Sequence, residues 1–218
     1  TFDASVGDNI LSGHTPGSED CLSLNIWRPA TNEKNLPVIV FIYGGSNITG
    51  YSGDPLYDGA ALAKKANAVV VSANYRLGQL GFFRHPALRD TAVDPTLTPE
   101  DQSGNFAVLD IIQALKFVQG NIEHFGGNKA NVTLSGQSAG AINVLAVLTT
   151  PGNRAAGLFH RLAPLSGGIS VATSPGFPQP ANNLQGNNGT IPALNPVATY
   201  EALSNMLLMK LLIDDGSA

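Results

Sequence analysis

"NVTLSGQSAGA", residues 131–141, is the stretch on which the reading of this chain turns. Val132, Thr133 and Leu134 suit a strand. Gly136-Gln137-Ser138-Ala139-Gly140 suits a tight turn, and the apolar run 138–150, "SAGAINVLAVLTT", suits a helix. Strand, G-x-S-x-G and helix in that order form an elbow that lifts a central serine above the carboxyl end of a sheet. The turn is so sharp that the central residue takes a strained backbone conformation. Glycines two residues to either side remove side chains that would collide across it. The helix that follows aims its N-terminus at the serine and favours negative charge there. Five residues of this kind are common in ordinary turns, so the neighbouring sequence has to decide whether Ser138 is a nucleophile.

Working outward, four more short apolar runs read as strands: 22–27 (LSLNIW), 37–43 (PVIVFIY), 67–75 (NAVVVSANY) and 160–167 (HRLAPLSG). They are rich in Val, Ile and Leu without clean alternation, as in strands covered on both faces of a parallel sheet. Helical patterns fall between them at 58–66 and 104–122. In the second, Val108, Ile111, Ile112, Leu115 and Val118 share one face, while Asp110, Gln113 and Lys116 lie on another. This alternation predicts an α/β fold with a mainly parallel sheet. From about 172 to 196 the chain is dominated by Pro, Gly and Asn and reads as a long exposed loop, and 197–212 reads as an apolar helix.

A second glycine motif strengthens the serine. "PVIVFIYGGSNITG" places Gly44 and Gly45 at the end of a central strand, upstream of the elbow. Acyl transfer requires an oxyanion to be stabilised, and backbone N–H groups of a strand-end loop are pre-aimed for that task. A glycine loop followed by G-x-S-x-G points to a hydrolase.

Composition removes other classes. Of 218 residues, 43% are apolar and 13% charged, which argues against a disordered chain. The net charge is −4 with no basic run, so nucleic acid is not a partner suggested by charge. No apolar stretch reaches the ~18–20 residues of a membrane span. Cys21 is the sole cysteine, so no disulfide can form within these residues. Sequons at Asn47, Asn131 and Asn188 permit glycosylation on a secretory route.

The stretches "SEDCLSLNIWRP", "PVIVFIYGG", "VVVSANYRLGQLGFF", "GNFAVLDIIQALKFVQGNIEHFGGNKANVTLSGQSAGA" and "GLFHRLAPLSGG" together resemble the type B carboxylesterase/cholinesterase family of α/β-hydrolases. The resemblance runs through nearly all of the first 170 residues. It implies an α/β-hydrolase fold, with 1–218 as the N-terminal portion of a single catalytic domain, and a serine carboxylic-ester hydrolase without metal or organic cofactor. Ser138 matches the nucleophile, and the amides of Gly45, Ser46 and Ala139 match the oxyanion donors. Gly44, Gly136, Gln137 and Gly140 support the turns. Ser46 stands where the family usually has a third glycine, and Gln137 where it usually has Glu. Arg76 and Asp110 match a buried, structural ion pair. Cys21 matches a cysteine that in secreted members bridges to one further upstream, and Glu19 a residue that pairs with an upstream arginine. The Cys21 match leans localisation toward secreted.

The resemblance also sets an expectation about the base. The triad order is Ser, acid, His. His14, His85, His124 and His160 fall where the family has no catalytic histidine, and Glu201, Asp214 and Asp215 come too early for the acid. Both later members are expected beyond Ala218, in the remainder of the enzyme, on the same or a second chain. The 218 residues alone are expected to be essentially inactive, since losing a triad member can cost ~10⁶ in kcat. Choline-handling relatives place a Trp about ten residues before the Cys21 position, and "VGDNILSGHT" has none. Together with Gln137 this favours a neutral carboxylic ester. A catalytically silent adhesion module, and a lipase or peptidase on the same fold, remain alternatives at this point.

Overall fold

Val-rich segments without charge, such as those at 36–42 and 69–73, are stable only when both faces are covered, and they form the centre of a five-stranded sheet. A computed structural model of the chain describes residues 20–82, 95–98, 102–150 and 153–167. Of these, 20–77 and 108–167 fall in one compact unit and the others in a second. The strands are β1 (Leu24–Trp27), β2 (Leu36–Ile42), β3 (Val69–Ala73), β4 (Gly127–Gln137) and β5 (Arg161–Leu165), in the spatial order β1-β3-β2-β4-β5. Only the β1–β3 pairing is antiparallel; β2 runs parallel to β3 and β4, and β4 parallel to β5. All five residues of β3 are buried, as its unbroken VVVSA run requires. The expected loop at 172–196 and helix at 197–212 lie outside the described residues.

The helices are α1 (Ala60–Ala66), α2 (Gly78–Phe82), α3 (Phe106–Asn121) and α4 (Ala139–Leu148). In α3 the five residues expected to share an apolar face are all buried, and Gln113 and Lys116 are exposed. Asp110 is buried against Arg76, the ion pair that the resemblance implies. The guanidinium donates from Nε to Oδ2 (2.8 Å) and from Nη2 to Oδ1 (2.7 Å), and the Arg76 amide donates to Oδ2 (3.0 Å). The carboxylate holds the Arg76 pKa above its usual value, mainly through the side-chain hydrogen bond.

The element boundaries differ from expectation for local reasons. The strand expected from residue 67 starts at Val69, because Asn67 closes α1 in the left-handed conformation (φ 47°). The strand expected from residue 131 starts at Gly127, but residues 128–131 bulge out of the ladder. Leu36 faces Gly127 and Val38 faces Val132, leaving Pro37, which has no N–H, opposite the bulge. The strand expected from residue 22 forms only from Leu24, and Leu22 is exposed.

Candidate active site

β4 delivers Ser138 to the carboxyl end of the sheet, beside the end of β2. Ile42 faces Gly136 and Leu165 faces Gln137 in register, so the last residues of three neighbouring strands converge at the turn. Ser138 takes φ 56° and ψ −122°, a conformation that L-residues adopt only under constraint. Its amide donates to the Leu165 carbonyl (2.9 Å), and its carbonyl accepts from Ala141 (3.0 Å) and Ile142 (3.2 Å) to start α4. The hydroxyl makes no capping bond to the helix it precedes, and the residue is half-buried, so Oγ is not consumed by local structure.

The surrounding glycines are required by space. A Cβ on Gly136 would lie 2.5 Å from the Gly140 carbonyl oxygen, and one on Gly140 would lie 2.1 Å from that of Ile42. A Cβ on Gly167 would stand 2.6 Å from the Ser138 carbonyl oxygen. The glycine pair after β2 reaches the elbow directly. A Cβ on Gly44 would sit 2.7 Å from the Gln137 carbonyl oxygen and 3.0 Å from Ser138 Cβ. Two motifs separated by about ninety residues in sequence are thus in van der Waals contact.

Beyond Gly44 the chain coils into a tight left-handed turn. Gly45, Ser46 and Asn47 have φ of 110°, 56° and 58°. The Gly45 carbonyl accepts from the amides of Ile48 (3.0 Å) and Thr49 (3.1 Å). Among the described residues, no acceptor takes a hydrogen bond from the amides of Gly45, Ser46 or Ala139. The Cβ that Ser46 carries in place of a glycine hydrogen is accommodated by exposure.

These motifs match a known family along most of the chain. The family model described as "Carboxylesterase family" matches residues 3–186. The chain belongs to the carboxylesterase family. Carboxylesterase-family relatives include a fumonisin B1 esterase of Sphingopyxis macrogoltabida, 43% identical over 77% of this chain and 28% of its own length. The para-nitrobenzyl esterase of Bacillus subtilis (strain 168) is 42% identical over 72% of this chain and 29% of its own. A mouse (Mus musculus) cholinesterase is 40% identical over 84% and 28%. Among solved structures, a carboxylesterase of Geobacillus stearothermophilus superposes with a TM-score of 0.63 at 41% identity, covering 71% of this chain and 30% of the other. The chain therefore spans under a third of the length of these relatives.

The two described histidines lie at the opposite end of the sheet from Ser138. His160 accepts at Nδ1 from the Val132 amide (3.3 Å) and donates its own amide to the Val132 carbonyl (2.8 Å). That residue is six positions before Ser138, about 20 Å along a strand at ~3.3 Å per residue. His124 sits in the 3₁₀ turn Ile122–Phe125 that leads into β4. His14 and His85 lie outside the described residues, as do Glu19, Glu201, Asp214 and Asp215.

Two of the sequons now have structural neighbours. Asn131 accepts at Oδ1 from Arg161 Nη1. Asn47 is 4% exposed and exchanges hydrogen bonds with Asn143 of α4, so the first sequon is closed to modification in the folded chain. Sequence reading did not single out Asn143, although a signal was present. It is the one polar side chain within the ten residues of α4, AGAINVLAVL, and a buried polar group requires a partner.

Proposed function

We propose that this chain carries the nucleophile and oxyanion machinery of a serine carboxylic-ester hydrolase. Ser138 Oγ attacks the ester carbonyl carbon; the C–O bond to the alcohol breaks, and an acyl-enzyme remains until water releases the acid. The amides of Gly45, Ser46 and Ala139 receive the oxyanion. An acidic residue and a histidine elsewhere in the enzyme take the serine proton and return it to the leaving alcohol. The observation that carries this reading is the contact of Gly44 with Ser138 at the mouth of a turn whose amides have no described acceptor. The substrate class is a neutral carboxylic ester. Gln137 beside the nucleophile supplies no negative charge for a quaternary ammonium.

The test is labelling of the full-length protein with an organophosphate. Intact mass should rise by one phosphyl group, and the Ser138→Ala variant should stay unmodified. Labelling of both, or of neither, overturns the assignment. Acylcholine turnover equal to that of a neutral ester overturns the substrate class alone.

A further inference from the structure

The oxyanion loop and the nucleophile helix are joined by a buried amide pair. Asn143 Nδ2 donates to Asn47 Oδ1 (2.7 Å), and Asn47 Nδ2 donates back to Asn143 Oδ1 (3.3 Å). The residues are 4% and 2% exposed and lie 96 positions apart. Tyr75 joins from a third segment. Its hydroxyl donates to the Tyr43 carbonyl (2.8 Å), just ahead of Gly44, and stands 3.4 Å from Asn47 Oδ1. Tyr43 and Tyr75 also stack, with ring centroids 4.6 Å apart.

Burying two amides in an apolar layer is tolerated only when each is satisfied by the other. The pair is also placed where it acts on the turn. Asn47 follows Ser46 directly, and both are held at left-handed φ. Asn143 lies five residues after Ser138 on α4, whose first amide is that of Ala139. Fixing Asn47 to Asn143 therefore fixes the amides of Gly45 and Ser46 relative to that of Ala139. The Tyr75 hydroxyl fixes the carbonyl from which the glycine loop departs.

We infer that Asn47, Asn143 and Tyr75 are positioning residues, a clamp that holds the two halves of the oxyanion hole in register. This rests on the ester-hydrolase reading above. Donors aimed in advance act only on the charge that develops in the transition state, so a loosened clamp reduces turnover more than ground-state binding.

The experiment uses the full-length protein with Asn143→Ala and, because that change opens a buried site, Tyr75→Phe, which keeps the ring stack. Asn143→Ala is expected to lower kcat by about 10–10²-fold, as misplacement by ~1 Å does. KM should stay within about threefold. Affinity for a trifluoromethyl ketone, a mimic of the tetrahedral intermediate, should fall by the same factor as kcat/KM. Tyr75→Phe should lower kcat and the ketone affinity by a smaller factor, with KM again little changed. Hydrogen exchange of the segment 44–50 should be about tenfold faster in Asn143→Ala, with β2 amides unchanged. A kcat within twofold of the parent in both variants overturns the inference. So does a loss confined to KM, or a kcat loss with loop exchange unchanged. Absence of turnover and labelling in the parent sinks the hydrolase reading instead, and the exchange rates still judge the clamp.

Discussion

Adding one methyl group at Gly140 and one at Gly120 should move stability in opposite directions. Both glycines are helical, and neither has positive φ, so the difference is purely one of space. At Gly140 the new carbon would lie 2.1 Å from the Ile42 carbonyl oxygen and 2.5 Å from that of Tyr43. An ordinary carbon–oxygen contact is about 3.3 Å. The N-terminus of α4 must therefore retreat from β2 by roughly 1 Å, because both obstacles are main-chain atoms. Overpacking of this kind costs about 1–3 kcal/mol, and the higher helix propensity of alanine returns about 1 kcal/mol of it. The net loss expected for Gly140→Ala is up to ~2 kcal/mol, toward the upper end because both obstacles are main-chain atoms. At Gly120 nothing lies within 4 Å, so Gly120→Ala keeps only the propensity gain, about 0.5–1 kcal/mol. Urea unfolding of the full-length variants measures both, provided the slope stays at the parent value. The same retreat would separate Ala139 from Gly44, and kcat should fall by about 10²-fold in Gly140→Ala alone. A Gly140→Ala protein that unfolds at or above the parent midpoint with parental kcat would refute the packing described here.

Two further outcomes follow from groups away from that contact. Asp110→Ala should destabilise by about 2 kcal/mol, read from the shift in the urea midpoint. The figure belongs at the lower end for a broken ion pair, because the Arg76 side chain is 38% exposed and water can take over part of its guanidinium. Ser138→Gly should abolish turnover yet leave the protein about 1 kcal/mol more stable than Ser138→Ala, since glycine adopts φ 56° without strain. Equal unfolding midpoints for the two variants would show that position 138 is unstrained.

The fold was legible because its signals are local. Runs such as VVVSA and the apolar face of α3 report burial residue by residue, and the strand–glycine–serine–helix order reports a turn. Boundaries were less legible where a partner segment sets them. Pro37 lies about ninety residues before the bulge it faces, and nothing in 128–131 alone announces that pairing with β2 begins earlier at Gly127. Asp110 has the same character within α3 alone, where the periodicity sets it beside Gln113 and Lys116; the resemblance supplied its pairing with Arg76. Within the site, Ser138 and the Gly44–Gly45 pair carry motif signals. Asn47, Asn143 and Tyr75 carry none together, because an amide pair becomes visible only when both segments are folded. Asn47 even carried a competing signal, that of a sequon.

The same distinction explains how the elbow is maintained. A serine at φ 56° and ψ −122° stores about 1–3 kcal/mol, which no residue of 136–140 supplies alone. The opposing contributions come from other strands. β5 accepts the Ser138 amide through Leu165, and β2 presents its last carbonyls to the glycine face of α4. Gly44 closes against Ser138 from above, and Gly167 clears room for the Ser138 carbonyl. Each of these groups would lose its own packing if the turn relaxed, so the strained conformation is over-determined by the two strands that flank β4. A hydroxyl held this way stays unbonded to its own helix, as the proposed attack on an ester carbonyl requires. The chemistry proposed for Ser138 therefore depends on Leu165 and Ile42 as much as on the five residues that announce it.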